Sequence, residues 1–562
     1  MHDSLASSSP SSEESLASRI LWILLIVATL YVCYFSNLGV IGFVGPDEPR
    51  YAWIARAMAE TGDWITPRLY GQPWFEKPVL YYWEAAVSFK IFGVSEAAAR
   101  LPSAFSALLG TLALAWLAWR IYGRETARWF LILLPSSVGM IGFSHAAATD
   151  MPFAGMIAVA MVCAAVCLRL VQDDRTPILP RTPWPALICF GVFLGLAVLA
   201  KGPAAVILCG GAIFFWAIFT KRWRDAFRLL HPVAILAFCA TALPWYVICA
   251  RRNPDFFRIF IIEHNFKRYL TPEFQHIQPF WYYIPVSLVA FLPWIGVLLW
   301  SAVVGTREIF RRRTVSDVAV LLICWSAFCV LFFSTSHSKL PGYILPAFPP
   351  IALLLARSVA LLRVGRERSF RYTHFAIGGI FLSAFAMTEL FFRGHDSPTA
   401  RAAGVLGLVF ALFGVVNLIL GIFVGSVAEN QIQRSAAWSV APILLGMLCT
   451  GLFAQRLIHD FFRLDPSART LALELHKRQI PATQLFVANM NRSLLYGLSF
   501  YLHGEVKNWD QQSGTGGYLL LGSKNCERIA GPGFYCEPQP FDLNSTGRFL
   551  YLVIPIAAQK VH

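Results

Sequence analysis

Gly45-Pro46-Asp47-Glu48-Pro49-Arg50-Tyr51 follows the first long apolar run, residues 20–41, and puts two adjacent carboxylates where the chain leaves that run. A stretch of about 20 apolar residues is long enough to cross a bilayer, and charge at a bilayer edge must be solvated or paired. The prolines on either side stiffen the turn. A local reading makes Asp47 the N-cap of the helix that opens near Pro49. A functional reading makes the pair part of a site at the membrane edge. The rest of the chain decides between them.

Composition sets the class. The 562 residues are 57% hydrophobic and only 14% charged, against about 25% charged in soluble proteins. Mean hydropathy is +0.56. The formal charge of +15 suggests nucleic acid at first sight, but the basic residues cluster in short runs between apolar segments. That is the pattern of cytoplasmic loops beside anionic lipid, and it excludes a nucleic-acid partner. Ten of the twelve Cys lie in or beside apolar segments without ligand-like spacing and read as small core residues. Cys526 and Cys536 stand apart in the polar C-terminal part.

Thirteen apolar spans are expected, centred near residues 30, 110, 137, 161, 192, 212, 240, 292, 325, 351, 382, 413 and 446. Pro135 interrupts the third, and Lys201 separates the fifth from the sixth. Residues 1–19 are Ser-rich and acidic and read as a disordered cytoplasmic tail. No cleavage site follows the first span, so it is expected to be a retained helix. Loops holding Arg120, Arg124 and Arg128, then Lys221, Arg222, Arg224 and Arg228, then Arg307, Arg311 and Arg312 alternate with loops nearly free of Lys and Arg. The positive-inside rule puts the basic set and the N-terminus in the cytoplasm. Residues 43–100, 145–151, 201, 251–279 and 335–342 then share the opposite face.

Within the first outer loop, residues 49–60 place Tyr51, Ile54, Ala55 and Met58 on one helical face. Residues 78–92 form a second helix lying on the membrane, whose Tyr81, Tyr82 and Trp83 read as an aromatic belt at headgroup depth. Residues 20–459 thus form the membrane part. Beyond 460 the pattern is that of a soluble α/β domain, with a helix running to about Lys477 and strands over 484–489, 517–522 and 549–556. On the oxidising side of the membrane, Cys526 and Cys536 are placed to pair.

The outer segments gather the candidate chemistry: Asp47-Glu48, Glu76-Lys77, Asp150, Lys201, His264 with Lys267 and Arg268, and Lys339 with Tyr343. Singly, such residues are caps or snorkelling cations. Together, carboxylates and cations at one membrane face suit a substrate that is part lipid and part phosphate. Glu76 and His264 are the candidate ligands should a divalent ion bind, although two scattered ligands are a weak metal signal. A transporter would place its charges near the bilayer midplane on broken helices. These charges sit at one face, which favours an enzyme.

Several runs also carry a resemblance. Asp47-Glu48-Pro49-Arg50-Tyr51, Gly62-Asp63-Trp64, Phe75-Glu76-Lys77-Pro78, Lys201-Gly202, Pro279-Phe280-Trp281-Tyr282-Tyr283 and residues 338–346, which open Ser-Lys-Leu-Pro, look like the bacterial lipid A 4-amino-4-deoxy-L-arabinose transferases. These are polyprenyl-phosphate-dependent glycosyltransferases of the GT-C fold, related to protein O-mannosyltransferases. The resemblance covers about residues 20–460, and Gly342 stands where members often have Thr.

The resemblance implies a polytopic α-helical membrane protein of GT-C type, with outer juxtamembrane helices and a C-terminal soluble α/β domain. It implies an undecaprenyl-phosphate-linked aminosugar donor, a lipid A acceptor, no required cofactor, and a monomer in the inner membrane with its site facing the periplasm. Asp47 and Asp150 become the catalytic candidates. Glu48, Tyr51, Glu76, Lys77, Tyr82, Lys201, His264, Arg268, Lys339 and Tyr343 become the substrate-binding candidates. Transfer to protein, with Asp47 as a general base, is the alternative within the same chemistry.

Overall fold

The computed structural model describes residues 16–171, 183–267, 270, 277–312, 315–362, 367–392, 398–429, 467–509, 516–522, 524–540 and 548–556. Long apolar helices dominate the first 429 residues. They begin with α1 (Leu16–Tyr34), α2 (Asp47–Thr61), α3 (Leu80–Phe92), α4 (Glu96–Tyr122), α5 (Arg124–Leu133), α6 (Val138–Ser144), α7 (Asp150–Cys167), α8 (Trp184–Lys201) and α9 (Ala204–Thr220). Among the described residues, eight helices are long and apolar enough to cross a membrane, and two bent pairs bring the number to ten. The shorter apolar helices Ala204–Thr220 and Leu406–Ile422 occupy two more of the expected places. The expected span near 446 lies outside the described residues. Pro135 has the effect its geometry dictates: α5 and α6 meet at a 65° bend.

Small residues bring the helices that carry the charged positions close together. Gly155 on α7 lies directly against α4, where an added Cβ would stand 2.5 Å from the Ser106 carbonyl oxygen. Gly191 on α8 approaches the helix Pro232–Arg252 just as closely, 2.2 Å by the same measure from the Ala234 carbonyl. Such contacts let backbones meet where side chains would hold them apart. The Asp150–Lys201 ion pair joins the first turn of α7 to the last turn of α8.

The outer loop differs from expectation in one respect. On α2 the face Tyr51, Ile54, Ala55 and Met58 is buried, as its periodicity implies. On α3, however, Tyr81 and Tyr82 are 0% exposed, so they are core residues and not a headgroup belt. The Tyr81 hydroxyl donates to the Ala99 carbonyl and the Trp83 indole to the Trp64 carbonyl. An aromatic cluster looks the same in sequence whether lipid or protein covers it. Here α4 and the loop before α3 cover it.

The C-terminal part is a five-stranded sheet in the order β4-β3-β5-β7-β6. Its strands are β3 (Leu485–Ala488), β4 (Lys507–Asn508), β5 (Gly517–Leu521), β6 (Phe534–Pro538) and β7 (Phe549–Pro555), while β1 (Arg68–Leu69) and β2 (Gln72–Pro73) form a small hairpin in the outer loop. Strands β4, β3 and β5 run parallel, and β7 and β6 join antiparallel. The three apolar strands were legible in the sequence. The two edge strands were not, being short or polar. Cys526 and Cys536 form a disulfide, and the helix Arg469–Lys477 ends where expected.

This part is tied to the membrane helices at several points. The Tyr501 hydroxyl bonds both Glu96 (2.9 Å) and the Phe43 amide (2.9 Å). Arg469 donates to the carbonyls of Gly39 and Val40 and pairs with Glu96.

Candidate functional site

The two adjacent carboxylates of the opening stretch part company in the fold. Pro46 precedes α2 without any side-chain cap, and Asp47 turns to Arg50 one turn along the helix, at 2.5 Å from Nη2. The same Nη2 lies 2.9 Å from Glu76, and Glu76 in turn stands 3.8 Å from the Lys77 ammonium. Both acidic residues in the first turn of α2 complement its dipole. Capping is therefore not the role of the Asp47 side chain.

Arg50 is buried, and its guanidinium lies over the rings of Tyr51, Trp74 and Tyr496 at 5.3, 5.5 and 5.6 Å. Three aromatic faces and two carboxylates hold this cation rigidly. Half of the Asp47 side chain remains open. The surrounding protein raises its carboxyl above the ordinary value; Arg50 and Lys77 oppose the shift, while Glu76 and Asp150 add to it. Asp150 is thus part of the same electrostatic neighbourhood.

Glu48 faces the other way. It is buried and accepts bonds from Arg100 Nε (3.0 Å) and Nη2 (2.8 Å), from the Val44 amide (2.7 Å) and from the Ala147 amide (2.7 Å). Arg100 also donates to the carbonyls of Leu38, Ile41 and Gly42. This knot joins the α1–α2 link, α4 and the approach to α7. Expected above to meet substrate, Glu48 has its acceptors taken by the fold.

Asp150 opens α7 and receives the Lys201 ammonium from the last turn of α8 at 2.5 Å. Lys201 also lies over the Tyr343 ring at 4.7 Å. Gly342 makes room for this arrangement: a Cβ there would stand 2.5 Å from Asp150 Oδ1 and 2.8 Å from Phe143 Cε1. A side chain larger than the Thr often found here in the resembled family, as in Gly342→Leu, is therefore expected to displace Asp150 and lower turnover, by about 10²-fold where the shift reaches 1 Å. Wild-type turnover in Gly342→Leu would show that the Asp150 side chain makes room without leaving Lys201.

The remaining expected residues separate into groups. Tyr51 and Tyr82 are buried beside the Asp47, Arg50 and Glu76 charges, with ring centroids 5.9 Å apart, and form a floor beneath them. Lys339, expected to hold phosphate, is instead buried with its ammonium on the carbonyls of Ser336 (2.6 Å) and Gln278 (2.9 Å). It clasps two loops, a use of Lys that spacing cannot distinguish from ligand binding. His264 lies in the π-helical segment Arg258–Lys267, whose approach packs through Phe256 against Phe75, the neighbour of Glu76. Arg268 lies outside the described residues. No group of three or more His, Cys, Asp or Glu suited to a metal occurs among the described residues.

Sequence reasoning missed Arg50 and Tyr496 as site residues. The three-residue spacing of Asp47 and Arg50 on one helix was the available signal for the first. Nothing local announces Tyr496. It arrives from the C-terminal part on the helix Arg492–Tyr501, which packs on α2.

Comparisons with known proteins find relatives for this chain. The family described as Dolichyl-phosphate-mannose-protein mannosyltransferase matches residues 19–260. An undecaprenyl phosphate-alpha-4-amino-4-deoxy-L-arabinose arabinosyl transferase of Aeromonas salmonicida is 31% identical over 66% of this chain and 68% of its own length. One from Serratia proteamaculans is 32% identical over 76% of this chain and 75% of its own. The crystal structure of ArnT from Cupriavidus metallidurans bound to undecaprenyl phosphate superposes with a TM-score of 0.75 at 23% identity, covering 95% of this chain and 98% of that one. With charged groups gathered at one end of a polytopic helical bundle, and relatives of this identity over this length, the chain belongs to the undecaprenyl phosphate-alpha-4-amino-4-deoxy-L-arabinose arabinosyl transferase family, membrane glycosyltransferases of the GT-C fold.

Proposed function

We propose that this chain, acting as a monomer in the inner membrane, moves 4-amino-4-deoxy-L-arabinose from undecaprenyl phosphate to a lipid A phosphate at the periplasmic face. The observation that carries the reading is the convergence of Asp47, Arg50, Glu76 and Lys77 with the Asp150–Lys201 pair. In the reaction the sugar C1–O bond to the polyprenyl phosphate breaks, and a bond from C1 to an acceptor phosphate oxygen forms. A phosphate monoester has a second pKa near 6, so at pH 7 the acceptor is mostly dianionic and needs little help from a base. Asp47, open on one side, faces the positive charge that develops at C1 or the sugar ammonium. Lys77 and Lys201 are the cations placed to favour departure of the prenyl phosphate.

Transfer to a protein hydroxyl is the second reading, favoured by the mannosyltransferase family match over residues 19–260. There Asp47 would act as a general base.

The test is complementation of a strain that makes the aminoarabinose donor but lacks its own transferase. Each transfer caps a phosphate and adds an amine, weakening the attraction of cationic peptides to the surface. Restored polymyxin resistance and the matching mass increase in lipid A are expected, with Lys77→Ala losing both. Unchanged lipid A with the protein present in the membrane would turn the assignment to protein glycosylation.

A further inference from the structure

On the face of α3 turned from the charged cluster lies a second, unassigned feature. Residues two apart on a helix point about 200° apart, so Glu84 faces away from the side on which Tyr82 meets the site. Glu84 opens into a groove of about 500 Å³ between α3 and α4. Val87, Ile91, Phe92, Phe105 and Leu109 line it, all exposed from the protein, and Met156 of α7 reaches its wall. Since α4 is a membrane span, this groove opens toward lipid. It also leads back to the site: Met156 is six residues beyond Asp150 on α7, about 9 Å at the helical rise.

Within this apolar wall Glu84 is out of place. Its Oε2 is buried and meets no hydrogen-bond partner among the described residues. Burial pushes its carboxyl up to about 8, which keeps it protonated at neutral pH and able both to donate and to accept. The nearby Ser88 hydroxyl is already engaged by the Ala98 carbonyl. A prenyl chain is hydrocarbon throughout and offers such a group nothing. An acyl chain brings an ester or amide carbonyl, and in hydroxyacyl lipids a hydroxyl, at the end near the headgroup.

We propose that this groove holds one acyl chain of the acceptor lipid, with Glu84 hydrogen-bonded to the oxygen function at the head of that chain. The inference rests on the reading of the acceptor as an acylated lipid phosphate. It adds an acceptor subsite on the opposite face of α3 from the reacting groups.

The full-length protein in nanodiscs tests this through steady-state kinetics with both lipid substrates. Glu84→Leu should raise KM for the acyl-lipid acceptor about tenfold, the loss of one hydrogen bond, with kcat and donor KM unchanged. Glu84→Gln should restore most of the affinity, because an amide both donates and accepts. A rise in donor KM instead would put the prenyl chain in the groove, and no change in either KM would empty it of both; each outcome overturns the proposal. Ile91→p-benzoylphenylalanine in the otherwise wild-type chain gives an independent measurement. Photocapture of acylated lipid identified by mass supports the subsite, whereas capture of polyprenyl phosphate or of nothing overturns it. A wild-type chain that transfers no sugar to acyl lipid would fail the functional reading alone, leaving photocapture to decide the groove.

Discussion

Asp47→Asn is expected to lower turnover by at least 10²–10³-fold while the protein inserts and unfolds as before, the range seen when one group that stabilises transition-state charge is removed. Two observations keep the stability side small. Arg50 retains Glu76 at 2.9 Å and its three aromatic neighbours when the Asp47 charge is lost. The Asp47 carboxyl is raised in the fold, chiefly by burial, so in this group ionisation opposes folding as pH rises through its ordinary range, and asparagine removes that opposition. The sign for activity is the reverse. If the carboxylate form does the work, the acid limb of the pH–rate profile lies above the ordinary carboxylate range, and activity falls as pH drops through it. Mass-spectrometric transfer assays beside thermal unfolding in the same detergent measure both. Turnover within about threefold of wild type would take Asp47 out of the chemistry.

Arg100→Ala is expected to act on the fold, with a loss of about 3–5 kcal/mol or failure to accumulate, as when one partner of a buried ion pair is removed. The substitution leaves Glu48 charged and buried and takes the donor from the carbonyls of Leu38, Ile41 and Gly42. Thermal unfolding and membrane abundance measure it. A variant as stable as wild type would show that the two amide bonds from Val44 and Ala147 suffice for Glu48. Asp47 and Glu48, neighbours in the chain, are thus expected to fail in opposite ways: one in turnover, the other in stability.

The C-terminal part bears on the first of these predictions. Tyr496 closes over Arg50, and Tyr501 and Arg469 hold its helices to the segment leading into α2. The cation that positions Asp47 is therefore confined by both parts of the chain.

Much of this protein was written along the sequence itself. Apolar run length and the scarcity of charge determine a polytopic helical membrane protein, because lipid admits only helices and closed barrels and runs of about 20 apolar residues suit helices. Loop arginines set its expected orientation, and the alternation of apolar runs with charged segments picks out residues 47, 76, 150 and 201, whose carboxylates the fold brings into one electrostatic neighbourhood. What each charge does was decided only by tertiary packing. Asp47 and Glu48 are alike in type and adjacent in the chain, yet successive residues on α2 point about 100° apart, one toward Arg50 and the open site, the other into the Arg100 knot. Lys201 and Lys339 look equivalent as outer lysines, but one meets a carboxylate and a ring while the other closes on two backbone carbonyls. Tyr82 reads as a membrane anchor until α3 is laid against its neighbours. Nothing in the sequence singles out Glu84, whose Oε2 has no partner among the described residues beside the groove between α3 and α4. Periodicity states which residues share a face; what that face meets depends on helices far away in the chain, and no local pattern encodes it.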